Sequence, residues 1–250
     1  MFGSRGANFG GNSGGGFDPG DFFSSGDVQI ISDSNAKSKI GKDIRKKDGR
    51  IWTVMFYAPW CGHCQKLKPE FLKFAKMSKG VIQVGGVDCE SNRKLCAHYK
   101  VQGYPTILSL IPDNSNPEVY NGPRTAQALY DHSQRLIPGK SVAIVASEEQ
   151  ADLECQKDPK KVCIVLLSEK ATPTPLTKAL AYRVKDFAKL IQVKVPAKRK
   201  TYLYGDAKTK IPSIFVNRKL FTGLFRMDNI YNFILTQSDA KQKAGKKDQL

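Results

Sequence analysis

The sequence predicts an α/β protein made of two similar domains, each with a mixed central sheet and helices on both of its faces. Short apolar runs rich in β-branched and aromatic residues alternate with helical patterns along most of the chain, and this alternation is typical of α/β domains. A proline-containing apolar strand also occurs twice, as Tyr104-Pro105-Thr106-Ile107 and as Ile211-Pro212-Ser213-Ile214. The repeat predicts that the second half of the chain copies the fold of the first.

Composition divides the chain into four parts. The 250 residues are enough for two domains of ordinary size and two tails. Residues 1–25 are rich in glycine, and such a segment is expected to be flexible because it can bury little apolar surface. The first domain is predicted to span 26–138 and the second 139–238, and a mobile basic tail then covers 239–250.

Hydrophobic periodicity sets the elements inside each domain. In the first domain it predicts strands at 27–31, 51–57, 81–87, 106–111 and 119–120, and helices at 36–47, from Cys61 onward, at 93–99 and at 125–136. In the second domain it predicts strands at 142–145, 162–167, 190–195 and 211–216, and helices at 148–156, 175–187 and 228–235.

The first domain is organised around the stretch Trp60-Cys61-Gly62-His63-Cys64, which joins a buried strand to a helix. Two cysteines three residues apart lie on one face of a helix, close enough for their sulfurs to bond. Cys61 is expected at the reachable end of that helix and Cys64 one turn deeper. The free N–H groups and the dipole of a helix N-terminus favour the thiolate of Cys61, which is the reactive species. His63 is expected to stabilise this reduced form further.

Two other uses of a Cys-x-x-Cys motif fit this sequence less well. A zinc site of this kind normally has a second such pair, and the other cysteines stand seven or eight residues apart. A purely structural disulfide in so short a loop would add little chain-entropy stabilisation. The motif therefore indicates redox chemistry that needs no metal and no other cofactor.

Three segments of the first domain carry a resemblance to a known family. Residues 56–64, Phe-Tyr-Ala-Pro-Trp-Cys-Gly-His-Cys, resemble the active-site signature of the protein disulfide isomerase family. Residues 87–89, Val-Asp-Cys, and residues 99–107 resemble the next strand and the cis-proline segment of the thioredoxin-fold domains in that family. The resemblance implies two tandem thioredoxin-like domains. An active domain followed by an inactive one is similar to the branch of the family called P-five.

The family resemblance also assigns roles to residues. It implies that Cys61 is the nucleophile, that Cys64 is the resolving thiol, and that Gly62 and His63 complete the redox-active motif. It further implies that Pro105 is a cis-proline facing the disulfide, where the preceding backbone can pair with an extended substrate segment. The second domain has no cysteine pair after its central strand, so it is expected to be redox-inactive.

Two positions depart from the family pattern. Met55 stands where the family usually has a buried glutamate that relays a proton to the resolving cysteine, and Gln65 stands where it usually has lysine. Both changes remove ionisable groups near Cys64, so we expect slow release of mixed disulfides. The family also uses an arginine near the last helix of the domain to modulate the resolving thiol. Arg124 and Arg135 are both candidates for it.

The remaining cysteines are interpreted as structural. Some family members carry a disulfide at the positions of Cys89 and Cys96, and Cys155 and Cys163 are placed to join a helix to the next strand. Six cysteines fit an oxidising compartment. The last four residues, Lys247-Asp248-Gln249-Leu250, resemble the Lys-Asp-Glu-Leu retrieval signal, which predicts residence in the lumen of the endoplasmic reticulum.

The formal net charge of +17 is high, but the basic residues are spread over the second half and the tail. No nucleic-acid-binding module and no apolar run long enough to enter a membrane is recognisable, so neither is expected as a partner. Solvated faces are the simplest explanation of the charge, and attraction of acidic clients or acidic lumenal partners is the functional alternative.

Taken together, the sequence predicts a thiol–disulfide oxidoreductase and isomerase that forms, breaks and rearranges disulfides in folding secretory proteins. The expected partners are unfolded or misoxidised secretory proteins, lumenal chaperones and the retrieval receptor. The alternative is a redox-sluggish chaperone or escort that binds unfolded or specific clients and uses its thiols little. Met55 and Gln65 favour that alternative.

Overall fold

The computed structural model of the chain describes residues 22–23, 26–40, 49–112, 114, 116–138, 142–196 and 211–247, with the side chains of the last helix described as far as 238. The first domain contains strands β1 (Gln29–Ile30), β2 (Trp52–Tyr57), β3 (Gln83–Asp88), β4 (Thr106–Leu110) and β5 (Glu118–Val119), and helices α1 (Ala36–Lys39), α2 (Gly62–Ser78), α3 (Arg93–His98) and α4 (Ala126–Arg135). The second contains strands β6 (Val142–Val145), β7 (Val162–Ser168), β8 (Ala188–Lys194), β9 (Ser213–Val216) and β10 (Lys219–Leu220), and helices α5 (Glu148–Gln156), α6 (Pro175–Val184) and α7 (Met227–Lys247).

The two sheets have the same topology. In the first, the strand order is β1-β3-β2-β4-β5, with β1 and β2 parallel to β3 and with β4 and β5 joined antiparallel. In the second, the order β10-β9-β7-β8-β6 is the same arrangement, with β6 and β7 parallel to β8 and with β9 and β10 antiparallel. The prediction of a repeated mixed-sheet α/β fold is confirmed.

Four helices begin at a residue whose side chain accepts a hydrogen bond from the first turn, which satisfies a backbone donor that has no partner inside the helix. These N-cap residues are Cys61, Thr125, Ser147 and Thr174. In α6, Pro175 follows its cap at the first helical position, where a missing N–H costs nothing. Local sequence therefore fixes where these helices start.

The core of the first domain includes two residues that the sequence assigns to the flexible segment 1–25. Phe22 and Phe23 are buried, and Phe22 stacks on Tyr57 with ring centroids 4.2 Å apart. Phe23 lies over Gly86, where a Cβ atom would come within 2.6 Å of the phenylalanine ring. The predicted boundary at residue 26 is therefore too late, because large aromatic side chains can join a core even when they stand among glycines.

The two domains share an apolar contact. Ile51, Ile82 and Ile137 of the first domain belong to the same buried cluster as the residues of the second domain around α6 and α7. Gly49 packs so closely on α6 that a Cβ atom there would lie 2.9 Å from the Cα of Arg183. The contact lies at the start of β2, so it is at the end of the sheet away from Cys61.

Arg183 anchors the second domain's side of this contact. Its side chain is 7% exposed, its guanidinium group lies 3.5 Å from the ring centroid of Tyr231, and its Nη1 donates to Asp228 Oδ1 at 3.1 Å. An arginine with both a carboxylate and an aromatic face as partners tolerates burial better than an unpaired cation would.

Three elements differ from the prediction. Strand β10 was not predicted; it is a two-residue exposed strand joined to β9 through Asn217 and Arg218, both with positive φ. Helix α7 continues to Lys247, where a mobile tail from 239 was expected; alanine, lysine and glutamine favour this extension. Helix α1 is described only over Ala36–Lys39, and residues 41–47 of the predicted helix lie outside the described part.

Candidate functional site

Strand β2 delivers the Cys-x-x-Cys motif to the start of α2. All six residues of β2 are buried, and the backbone N–H of Cys61 donates to the carbonyl oxygen of Ala58 at 3.0 Å, which closes the turn after the strand. Cys61 is the N-cap of α2, with extended backbone angles of φ −73° and ψ 113°. Its sulfur accepts a hydrogen bond from the backbone N–H of Cys64 over 3.3 Å. A sulfur in this position receives the favourable field of the helix N-terminus that the sequence predicts for it.

The two sulfurs differ in exposure. Both cysteines are free thiols; Cys61 keeps 7% of its surface exposed and Cys64 keeps none. Gly62, His63 and Trp60 around them are exposed. Cys61 is therefore less exposed than the sequence predicts for the reachable end of the helix, although it is more exposed than Cys64.

The segment before Pro105 faces the Cys61 sulfur. The Tyr104–Pro105 peptide bond is cis, and the thiol of Cys61 lies 3.6 Å from the carbonyl oxygen of Tyr104, to which it donates. The rings of Trp60 and Tyr104 form an edge contact with centroids 6.2 Å apart. The Cys-x-x-Cys motif and the cis-proline segment therefore meet in one place.

Burial raises the pKa of the Cys64 thiol, and its hydrogen-bonding contact with Cys61 raises this pKa further, whereas the positive charge of Arg124 lowers it. Arg124 lies beside Pro105 and Tyr120, where it lines a groove of about 180 Å³. Of the two arginines that the sequence offers as modulators of the resolving thiol, Arg124 is the one whose charge acts on it. Arg135 acts instead on Tyr120 and His132.

Met55 and Gln65, the two residues that depart from the expected pattern near Cys64, both make uncharged contacts. Met55 is fully buried in the same cluster as Cys64, and no ionisable group replaces the glutamate at that position. The side-chain amide of Gln65 donates to the carbonyl oxygen of Pro59 at 3.0 Å, just before Cys61. Gln65 therefore acts on the shape of the turn rather than on the charge at Cys64.

Two nearby titratable residues were not predicted. Burial raises the pKa of Tyr57, and the charges of Asp88 and Cys64 raise it further. The Asp88 carboxylate accepts the N–H of Glu90 at 3.0 Å and the hydroxyl of Ser91 at 2.9 Å. Only the parallel pairing of β2 with β3, which places Tyr57 opposite Asp88, brings them together. The Val-Asp-Cys run of 87–89 was the one sequence signal for this position.

The other four cysteines form the two disulfides that the sequence pairs. Cys89, directly after β3, is bonded to Cys96 in α3, and Cys155 in α5 is bonded to Cys163 in β7. Within the described residues no group of three or more histidine, cysteine, aspartate or glutamate side chains is placed to hold a metal ion. The retrieval-like residues Asp248, Gln249 and Leu250 lie outside the described part, which includes only the backbone of Lys247.

The second domain repeats the scaffold of the site without its thiols. Its cis peptide bond, Ile211–Pro212, stands before β9 as Tyr104–Pro105 stands before β4. The stretch from the end of β7 onward, Ser168-Glu169-Lys170-Ala171-Thr172-Pro173, contains no cysteine. The domain therefore keeps the cis-proline and lacks a nucleophile.

Comparison with known proteins places these features in context. Residues 28–135 match the thioredoxin family. The protein disulfide-isomerase A6 homolog of Caenorhabditis elegans is 46% identical over 105 residues, 42% of this chain and 23% of the relative. A mitochondrial thioredoxin domain-containing protein of Schizosaccharomyces pombe is 32% identical over 198 residues, 72% of this chain and 53% of the relative.

Among solved structures, form II of ERdj5 is similar with a TM-score of 0.48 and 20% identity, over 88% of this chain and 31% of the other. The chain thus spans about a quarter of the curated disulfide isomerases it matches. Across the described ranges, no helix has both the length and the apolar character needed to cross a membrane.

Proposed function

We propose that this chain, whose residues 28–135 match the thioredoxin family and which is similar to protein disulfide isomerases, belongs to the protein disulfide isomerase family and forms, breaks and rearranges protein disulfides through Cys61 and Cys64. One observation carries the proposal. The Cys61 sulfur caps α2, where it accepts the Cys64 N–H, and it faces the carbonyl of Tyr104 beside a cis-proline. This placement combines a sulfur at a helix N-terminus with backbone able to hold an extended client.

The reaction begins with the thiolate of Cys61. It attacks one sulfur of a client disulfide, a Cys61–client bond forms, and the client's other sulfur leaves as a thiolate that takes up a proton. Cys64 then loses its proton and attacks the Cys61 sulfur, which forms the Cys61–Cys64 disulfide and releases the reduced client. The reverse sequence oxidises client thiols. If Cys64 does not act, the client rearranges while it is still bound to Cys61.

The environment of Cys64 is expected to slow the second step, in which Cys64 attacks the Cys61–client disulfide. Burial keeps its thiol protonated at neutral pH, and Met55 offers no carboxylate to accept the proton. Arg124 works in the opposite direction by stabilising the thiolate. We therefore place the delay in the resolving step and not in the attack by Cys61.

The test compares the wild type with Cys61→Ser and Cys64→Ser in insulin reduction and in refolding of scrambled ribonuclease. Cys61→Ser should lose all activity above background. Cys64→Ser should accumulate a client adduct that dithiothreitol releases on a non-reducing gel. Equal activity in the wild type and Cys61→Ser would exclude thiol chemistry and favour the chaperone or escort alternative.

We place this activity in the lumen of the endoplasmic reticulum, on secretory proteins. The family relationship and the two disulfides outside the motif support this compartment. The Schizosaccharomyces pombe relative is named mitochondrial, so cell fractionation with markers for both organelles is the decisive measurement. Co-purification with mitochondria would refute the lumenal placement, and the retrieval-like tetrapeptide stays a prediction.

A further inference from the structure

The two disulfides outside the Cys-x-x-Cys motif differ in burial. Cys89 and Cys96 keep 3% and 6% of their surface exposed, whereas Cys155 and Cys163 are both half-buried. A thiol breaks a disulfide only if it reaches one of the sulfurs, so exposed disulfides are the exchangeable ones and enclosed disulfides are inert. Burial therefore distinguishes an exposed bond in the second domain from an enclosed bond in the first.

The exposed bond attaches the weakly packed end of α5 to the sheet. Glu148 and Ala151 are the buried residues of this helix, and both lie in its first half. In its second half Leu153 is 60% exposed, and the residue that packs against the buried cluster of the sheet is Cys155 itself. The end of α5 therefore depends on the bond from Cys155 to Cys163 in β7 for its position.

Ion pairs support the same end of the helix. Nζ of Lys189, in β8, donates to the carboxylate of Glu154 at 2.8 Å, and Nη2 of Arg218 donates to the carboxylate of Asp152 at 2.7 Å. Both pairs are partly exposed to solvent, and ion pairs that water reaches stabilise a structure little. The covalent bond is therefore the strongest single attachment of this end of α5.

Lys189 also places a positive charge beside the disulfide. It stands opposite Cys163 in the pairing of β7 with β8, and its ammonium group donates to the carbonyl oxygen of Glu154, directly before Cys155, at 3.0 Å. A nearby cation stabilises a cysteine thiolate, and a more stable thiolate is a better leaving group. Cys155 lies instead at the C-terminal end of α5, where the helix dipole disfavours a thiolate. Cys163 is therefore the better leaving group of the two.

The surroundings of the bond carry a net positive charge. Lys157 contacts the same Glu154 carboxylate that the β8 lysine binds, so two ammonium groups share one anion. The residues between the two cysteines add Lys160 and Lys161 against the single carboxylate of Asp158. Because cationic surroundings raise the local concentration of anions, the site favours a small thiol that carries negative charge.

We propose that this bond is a second thiol–disulfide exchange site, which takes a low-molecular-weight anionic thiol and acts independently of the Cys-x-x-Cys motif. The thiolate of the small thiol attacks the Cys155 sulfur, a mixed disulfide with Cys155 forms, and Cys163 leaves as a thiolate beside Lys189. A second small thiolate then attacks the sulfur of the bound small thiol, which forms the oxidised small disulfide and releases Cys155 as a thiolate that takes up a proton. The protein gains two electrons, and the end of α5 loses its covalent attachment to β7.

The first test uses the full chain carrying Cys61→Ser and Cys64→Ser, so that the remaining cysteines form only the exposed and the enclosed bond. The chain is incubated with excess reduced glutathione, quenched with acid at intervals, alkylated with N-ethylmaleimide and mapped by mass spectrometry. The cysteines of the exposed bond should be labelled at least about tenfold faster than those of the enclosed bond, which is the internal control. The intermediate should carry glutathione on Cys155 and not on Cys163.

A charge variant tests the role of Lys189. In the reduced chain, the midpoint pH for alkylation of Cys163 by iodoacetamide should rise in Lys189→Gln and return in Lys189→Arg, since either cation stabilises the thiolate. Lys170→Gln is the matched control, because Lys170 is an exposed lysine beyond the other end of β7, and it should leave the midpoint unchanged. A midpoint that Lys189→Gln does not move would refute Cys163 as the favoured leaving group.

Salt tests the preference for an anionic thiol. Added sodium chloride should slow the reaction of the exposed bond with glutathione, because salt screens the attraction of an anion to a cationic site. It should leave the reaction with 2-mercaptoethanol, a neutral thiol, unchanged. Equal slowing of both reactions would refute the preference.

Amide hydrogen exchange measures the release of α5. In the reduced chain, residues 152–156 should exchange at least about tenfold faster than in the oxidised chain, whereas α6, which buries six of its residues, should be unchanged. Cys155→Ala with Cys163→Ala should reproduce the fast exchange without any thiol. The proposal is overturned if the enclosed bond is reduced as fast as the exposed one, if glutathione acts only in denaturant, or if α5 exchanges equally in both redox states. Because the tested chain lacks both thiols of the motif, none of these outcomes depends on the proposed function.

Discussion

The side-chain amide of Gln65 donates a hydrogen bond to the carbonyl oxygen of Pro59 at 3.0 Å. Gln65 lies in the first turn of α2, and Pro59 lies two residues before Cys61. The bond ties the turn that carries Trp60 to the helix that Cys61 caps. Because a neutral hydrogen bond of this kind contributes about 1 kcal/mol, we expect the shape of the turn to depend on Gln65.

Gln65→Ala should therefore loosen the turn. We expect the free energy of unfolding to fall by about 1 kcal/mol. We also expect the rate of Cys61 alkylation by iodoacetamide to change, because the turn that leads into Cys61 loses its hydrogen bond to α2. Gln127→Ala is the control, since the amide of Gln127 donates to Asp131 on the exposed face of α4. An alkylation rate that is identical in wild type and Gln65→Ala would show that the bond does not position Cys61.

Met55→Glu should speed the resolving step. A carboxylate in the buried cluster of Cys64 could accept the proton of that thiol, and positioned proton transfer commonly contributes factors of about a hundred or more. We expect the client adduct of the otherwise wild-type enzyme to decay at least about tenfold faster in stopped-flow quench experiments. Met55→Gln is the matched control, because its amide has similar size and accepts no proton; equal acceleration in both variants would refute a proton relay.

His132 should make the first domain's stability depend on pH. Burial lowers its pKa, the charge of Arg135 lowers it further, and Glu118, 3.6 Å from Nε2, raises it. A histidine whose folded pKa lies below the unfolded value of about 6.5 contributes fully above that pH and loses its contribution as the pH falls below it.

The free energy of unfolding is measured in urea between about pH 7.5 and about pH 5, an interval that brackets the pKa of an unfolded histidine. The wild type should lose stability toward pH 5, and His132→Asn should lose less. His98→Asn, at an exposed histidine of the same domain, should keep the wild-type slope. A slope unchanged by His132→Asn would mean that other groups cause the dependence.

Gly49→Ala should separate the unfolding of the two domains. Gly49 has φ +63°, and its Cβ would lie 2.9 Å from the backbone of Arg183, so we expect a cost of about 2 kcal/mol at the domain contact. Both tryptophans, Trp52 and Trp60, lie in the first domain, so their fluorescence reports that domain, whereas far-ultraviolet circular dichroism reports both.

In the wild type, urea curves from the two signals should coincide, because the domains share a buried cluster. In Gly49→Ala they should separate. Gly26→Ala is the control, since nothing lies within 4 Å of a Cβ atom there. Coincident curves in Gly49→Ala would show that the contact does not couple the domains.

Local sequence patterns were enough to predict much of the fold and the central part of the candidate site. The order of strands and helices followed from hydrophobic periodicity, and the pairing of Cys61 with Cys64 at a helix start followed from their spacing. The cis-proline at Pro105 followed from family resemblance. These features depend on residues that are close in sequence or on a motif that is specific by itself.

What the sequence missed depends on long-range contacts. Phe22 joins the core through contacts with residues distant in sequence, among them the ring of Tyr57 on which it stacks. Asp88 meets the site only through the pairing of β2 with β3. Arg124 is distinguished from Arg135 only by the folded arrangement, which brings Arg124 before the start of α4 near Cys64 and leaves Arg135 at the end of that helix near Tyr120 and His132. β10 has neither length nor alternation, and its turn residues Asn217 and Arg218 are the sole local trace of it.

The stacking of Phe22 on Tyr57 also decides where the polypeptide enters the first domain. Tyr57 ends β2 next to the motif, whereas Ile137, from which the chain departs for the second domain, packs with Ile51 at the opposite pole of that sheet. The two poles are separated by the length of a six-residue strand, about 20 Å. The chain therefore enters the first domain at the pole that carries the reacting sulfurs and leaves it at the other pole.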